Sequence, residues 1–168
     1  MNYKNLINKF YKQGYFIFDI KNKKKLNFLR NFIVKKIQLK IKDLKKLEKT
    51  HNFIVPSDLN SIKMKIYSEI NNNKKFLKEY YEISKKELEI ICGNEIAMQR
   101  KINLSIQMPH DDSALLPVHS DVWSGCSPFE VVVWTPLVDC KKTQSMFVYP
   151  KNFKKKNHKK KIKKFINI

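Results

Sequence analysis

The sequence predicts an α+β protein: a helical first half followed by short strands of a barrel or double-sheet sandwich. Three observations carry this. Residues 1–92 repeat their apolar side chains at helical spacing, while 95–150 change to near-alternation and hold five of the six prolines. The chain has 168 residues, 42% of them hydrophobic, enough for one domain with its own core.

The first segment, NLINKFYKQ, suggests a short opening helix that Gly14 ends. GYFIFDI (14–20) follows, and its aromatic and β-branched content predicts a strand. In KKKLNFLRNFIVKKIQLKIK, Leu26, Leu29, Ile33 and Ile37 fall on one helical face with lysines opposite. Pro56 then breaks the chain, and Ser57 or Asp58 can cap a helix carrying Leu59, Ile62, Ile66 and Ile70. NNN at 71–73 reads as a turn. Residues 74–92 are helical again, with Ser84 and Glu87 at capping-box spacing, so two short helices fit this piece. Core packing is the expected role of these apolar stripes.

From residue 95 the period changes. EIAMQRKINLSIQ (95–107) alternates as a strand with one buried face does, and MPHDDSALLP (108–117) is a polar loop between prolines. FEVVVWTPLVDC (129–140) reads as a buried strand and SMFVYP (145–150) as a further short one. After Pro150 the composition shifts abruptly. Residues 151–168 set Phe153, Ile162, Phe165, Ile166 and Ile168 among lysines, as an unpacked tail or as a basic arm for nucleic acid or lipid. The domain organisation expected is thus 1–150, helical to 92 and β-rich from 95, with 151–168 as a Lys-rich tail.

The formal net charge is +20, which points to an acidic partner or to a lysine-biased surface. The last 18 residues hold nine Lys and no Asp or Glu, so nine of those charges sit in the tail. Only Arg30 and Arg100 are arginines, so the surplus follows a general lysine bias, and no specific nucleic-acid partner is expected. Cys92, Cys126 and Cys140 are an odd number without a CxxC pair, which indicates neither a disulfide framework nor a zinc knuckle. The N-terminus lacks the apolar run and cleavage site of a signal peptide, and no stretch is long enough to span a membrane. A cytoplasmic protein is expected.

The densest chemistry lies in LPVHSDVWSG (116–125). Side chains two apart on an extended chain point to the same side, so His119 and Asp121 can offer an imidazole nitrogen and a carboxylate oxygen to one point. That is part of a non-haem Fe(II) site, which takes two histidines and one carboxylate on one face and leaves positions open for co-substrate and O₂. Pro117 before the pair and Gly125 after it suit a turn. Trp123 is placed to shield a metal or contact a sugar ring. His110, Asp111 and Asp112 form a second polar cluster, read as a solvated loop or a contact for a polar substrate, and Cys126 is a possible soft ligand. His51 reads as a surface residue.

FYKQGYFIFDIKNKKKLNFLRNFI and MQRKINLSIQMPHDDSALLPVHSDVWSGCSPFEVVVWTPLVDCKKTQSMFVYP together resemble the phytanoyl-CoA dioxygenase-like Fe(II)/2-oxoglutarate oxygenases. Within that group they look most similar to oxygenases of bacterial surface-carbohydrate clusters. The second block carries the resemblance: a Gln-containing strand, the HxD pair, a tryptophan-bearing strand and a strand ending in proline, in that order. The resemblance covers roughly residues 9–150 and is weak through the central helices. It implies N-terminal helices packed on a double-stranded β-helix, a jelly-roll or cupin-like barrel, here incomplete. It implies Fe(II) held by His119 and Asp121, with 2-oxoglutarate as co-substrate and Gln99, Asn103 and Trp134 near the co-substrate or substrate. No catalytic group beyond the metal ligands is implied. The substrate would be a small molecule or a carbohydrate.

Two parts of the family pattern have no match. The family requires a second iron-binding histidine on a later strand, and an arginine further on to pair with the far carboxylate of 2-oxoglutarate. The only later histidine is His158, among lysines, and no arginine follows Arg100. A double-stranded β-helix also needs eight core strands, and only three or four precede Pro150. The expectation is therefore an oxygenase domain cut short, weakly active or inactive. The rival expectation is a non-catalytic basic protein that binds nucleic acid or anionic membrane through its tail.

Overall fold

The architecture comes from a computed structural model, which describes residues 3–111, 116–141, 144–149 and 151. Five α-helices follow one another: α1 (Tyr3–Gln13), α2 (Lys23–Gln38), α3 (Pro56–Asn71), α4 (Lys74–Glu82) and α5 (Lys85–Cys92). A 3-10 turn at Leu47–Asn52 bridges α2 and α3. Helices α2, α3 and α4 pack against one another, α4 also meets α5, and α5 meets α1.

Local chemistry explains the helix ends. The Lys25 N–H donates to the Asn22 side chain at the start of α2 (3.2 Å), and the Phe76 N–H does the same to Asn73 at the start of α4 (2.9 Å). Helix α3 opens with Pro56 at its first position, where the missing N–H costs no hydrogen bond. Ser57 and Asp58 therefore lie inside the first turn, and no side chain caps this helix. Gly14 stops α1 with φ +84°, its N–H donating to the Phe10 carbonyl at 2.7 Å. Ser84 separates α4 from α5 but makes no side-chain capping bond to α5; its hydroxyl meets the Tyr81 carbonyl instead (3.4 Å).

The core sits between α2, α3 and α4. Leu29, Ile33 and Ile37 come from α2, Leu59, Ile62, Ile66 and Ile70 from α3, and Phe76 from α4, all buried. Leu44 and Ile54, in the connection, close one end. Each such side chain contributes about 1.5–3 kcal/mol by leaving water, so this stripe is the main stabilising element. Around it, Lys36 pairs with Glu69 on α3 (2.5 Å), Lys25 with Glu82 on α4 (3.3 Å), and Arg30 with Glu48. These half-exposed pairs fix orientation more than they add stability.

The expected α+β jelly roll is not there. The structure is all-helical, with no strand and no sheet among the described residues. Segments 14–20, 95–108 and 129–140 do run extended, as their β-branched and aromatic content favours, but none pairs with another in a ladder. The strand alternation persists without the sheet. Ile102, Leu104, Ile106 and Met108 turn toward the helical core, while Asn103, Ser105 and Gln107 face water. Side chains take the place of ladder partners. Asn71, at the end of α3, accepts from the Ile102 N–H (2.7 Å) and donates to the Ile102 carbonyl (3.1 Å). Tyr80 of α4 donates to the Val133 carbonyl (3.0 Å).

The physical reason is closure. A double-stranded β-helix forms when two sheets cover each other's apolar faces, and a few extended segments cannot supply two sheets. They lie on the preformed helical layer instead. Ile102 is the last fully buried residue along the described chain, so everything beyond it is surface.

Candidate functional site

The HxD pair sits on a surface loop. His119 and Ser120 are extended, Ser120 at φ −122° and ψ 136°, and Asp121 opens a one-turn 3-10 helix to Ser124. Gly125 ends that turn at φ +89°, a conformation that disfavours any side chain. The turn is closed by backbone bonds from Trp123 to Ser120 (2.9 Å) and from Cys126 to Asp121 (3.2 Å). A single extended strand was expected to align the pair; an extended residue followed by a tight turn does it here.

The two side chains meet. His119 Nε2 lies 3.5 Å from Asp121 Oδ1, and His119 Nδ1 is 2.7 Å from the Pro117 carbonyl. A carbonyl oxygen only accepts, so Nδ1 carries the proton. In the neutral ring Nε2 then presents its lone pair on the side where the carboxylate stands. Bonding of the far ring nitrogen to a carbonyl is the usual way a metal-ligating histidine is oriented. Both side chains are substantially solvent-exposed, so an ion could reach the pair from bulk water.

The donor set supplies one imidazole nitrogen and one carboxylate oxygen, which fits two of the three protein positions of a non-haem Fe(II) site. The third is missing: no group of three or more His, Cys, Asp or Glu able to hold a metal occurs among the described residues. The complete iron centre that the jelly-roll reading required is corrected on this finding. Cys126 is no substitute. Burial pushes its thiol pKa up, and the Glu130 and Asp121 carboxylates push it in the same direction, so the thiol keeps its proton.

The other expected site residues are not brought to the pair. Gln99, Asn103 and Trp134 are all exposed, and none makes a hydrogen bond to His119 or Asp121 among the described residues. Asn103 does share the outward face of its extended segment, as alternation predicts. Trp123 is 77% exposed, so it shields no metal. His110 takes φ +60° in a tight turn and is exposed, as is His51 in the Leu47–Asn52 turn. Asp112, Pro150 and residues 152–168, His158 included, lie outside the described residues.

Sequence reasoning missed Asn71 and Tyr80, the two side chains that hold the extended segments onto the helices. Tyr80 is largely buried, which raises its phenol pKa, opposed by a hydrogen bond with Thr135. The only available signal was weak: a polar residue at the end of an apolar stripe, and a tyrosine inside one.

No helix among the described residues is long and apolar enough to cross a membrane. Comparison of the chain with family models, with curated proteins and with solved structures returned no match.

Proposed function

We propose that this chain carries the helix-rich portion and the first two iron ligands of an Fe(II)- and 2-oxoglutarate-dependent dioxygenase acting on a small-molecule or carbohydrate-related substrate. By itself it turns over weakly or not at all. One observation carries the reading. His119 is oriented by the Pro117 carbonyl so that Nε2 faces the Asp121 carboxylate 3.5 Å away. The order of segments around that pair, from Gln99 through Trp134, adds the family resemblance.

Bound Fe(II) would supply the activation of O₂, with 2-oxoglutarate giving up CO₂ to become succinate. The chain's own residues do less. His119 and Asp121 donate to the ion, and the Pro117 carbonyl holds the Nδ1 proton so that Nε2 stays a donor. With two protein donors the ion is held loosely. No arginine follows Arg100 to orient the co-substrate's far carboxylate. No catalytic step is derived, because the third ligand has no counterpart among the described residues.

The assay is succinate formation with Fe(II), 2-oxoglutarate and ascorbate. Succinate at or barely above the protein-free rate is expected. Robust turnover lost on His119→Ala would overturn the proposal that this chain is a weak or inactive half-site.

A further inference from the structure

Lysine and arginine are distributed unevenly along this chain. Residues 102–140 contain neither, yet hold Asp111, Asp112, Asp121, Glu130 and Asp139. The other 129 residues carry all 35 Lys and Arg against 10 Asp and Glu. A uniform lysine bias does not produce such a gap. The same stretch exposes large apolar side chains: Phe129 at 91%, Trp123 at 77%, and Val118, Val132 and Trp134 besides. The two aromatic rings alone leave on the order of 300 Å² of apolar surface in water, close to the largest patch an ordinary monomer shows. A region that is rich in apolar groups, holds only carboxylates as charges and contains no buried residue beyond Ile102 has the composition of a covered surface.

We propose that residues 152–168 of this same chain cover the apolar, acidic surface of 116–140. Three features support this occupant. The tail carries eight of the nine lysines of residues 151–168, with no acidic residue, and its Phe153, Ile162, Phe165, Ile166 and Ile168 match an apolar surface. Its charge opposes that of the surface, whereas a second copy would bring carboxylates against carboxylates and an anionic bilayer would be repelled. Its start is tethered, since the Lys151 N–H donates to the Gln13 carbonyl at 3.0 Å. Seventeen residues extend up to roughly 55–60 Å, more than the width of a body of this size. Tethering makes the docking intramolecular, at an effective concentration on the order of millimolar. The inference is independent of the metal reading.

Both tryptophans of the chain, Trp123 and Trp134, lie on this surface, so their emission reports its cover directly. The experiment compares acrylamide quenching of the full chain with that of a chain ending at Lys151, helix content being followed by circular dichroism. Removal of the tail is expected to red-shift the emission and raise the quenching constant severalfold. A synthetic peptide of residues 151–168 should restore protection in trans, and added salt should weaken it. Should the shortened chain lose helix, full-length protein with Lys154, Lys155, Lys156, Lys159, Lys160 and Lys161 changed to Glu decides instead, and the same exposure is expected. Quenching that is identical with and without the tail overturns the proposal. Protection that persists in the shortened chain and rises with protein concentration and molecular mass also overturns it, and assigns the surface to a second copy.

Discussion

Replacing Asn71 by alanine removes three hydrogen bonds made by one side chain. Two go to the backbone of Ile102, whose N–H donates to Oδ1 (2.7 Å) and whose carbonyl accepts from Nδ2 (3.1 Å); the third joins Nδ2 to the Tyr67 carbonyl (2.9 Å). Ile102 is 8% exposed, so its backbone groups cannot simply turn to water. Leaving a buried backbone group unpaired costs about 1–3 kcal/mol, and Ile102 has two. The Tyr67 carbonyl, in the last turn of α3, keeps access to solvent and adds little. Partial relaxation of the segment gives a total near 2–4 kcal/mol, a large share of the roughly 5–15 kcal/mol that holds a domain folded. Asn71→Asp should be as harmful, because it keeps an acceptor but sets a carboxylate against the Ile102 and Tyr67 carbonyls. The assay is urea denaturation followed both by helix circular dichroism and by tryptophan emission. The two tryptophans lie downstream of Ile102, so early release of the extended segment separates the two curves. A loss below about 0.5 kcal/mol, the lower bound for one ordinary hydrogen bond, would refute the claim that Asn71 stands in for a β-ladder partner.

Other expectations follow from the same contacts. Leu29→Ala and Ile66→Ala, each in the centre of the helical core, should lower stability by about 2–5 kcal/mol in the same denaturation assay. Glu69 and Glu82 have pKa values lowered chiefly by hydrogen bonds from Lys36 and Lys25. Their contribution is therefore complete above the ordinary carboxylate pKa of about 4.3 and is lost as the pH falls through the lowered values. An acid-unfolding midpoint that moves upward in Lys36→Ala would confirm the link between α2 and α3. Tyr80 has its pKa raised by burial, so its contribution is present below the unfolded phenol value of about 10 and declines as the pH rises through the folded one. One tyrosine should ionise late in an ultraviolet titration, and Tyr80→Phe should abolish that late step at a cost of about 0.5–1.5 kcal/mol.

The helical half was legible because its signals are local. Leu29, Ile33 and Ile37, and Leu59, Ile62, Ile66 and Ile70, were readable as apolar faces from spacing alone, and all seven are buried. Gly14, Pro56 and the break at Ser84 were readable as punctuation. The second half misled because a strand is completed by a distant partner. VVVW and INLSI have the alternation of strands, and they are extended, yet alternation does not specify what an extended chain pairs with. Here Asn71 and Tyr80 supply two of those partners from helices, and nothing in NNN or in FLKEYYE marks that role.

The HxD pair was legible for a different reason. Two ligands two residues apart need only the local chain, so His119 and Asp121 converge without a barrel around them. A third ligand depends on the global fold, as do the places of Gln99, Asn103 and Trp134, which stay apart from the pair on the surface.

The account rests on His119 and Asp121 acting as an oriented pair of metal donors, and a divalent-ion titration tests this most directly. Mn(II), as an oxygen-insensitive substitute for Fe(II), is titrated into the full chain and followed by the loss of its free-ion electron paramagnetic resonance signal. One ion is predicted to bind weakly, more tightly when 2-oxoglutarate is present because the co-substrate adds donors to an ion the protein leaves open. His119→Ala and Asp121→Ala should each abolish that binding while leaving helix content unchanged. Binding that survives both substitutions, or its absence from the unaltered chain even with 2-oxoglutarate, would contradict the account.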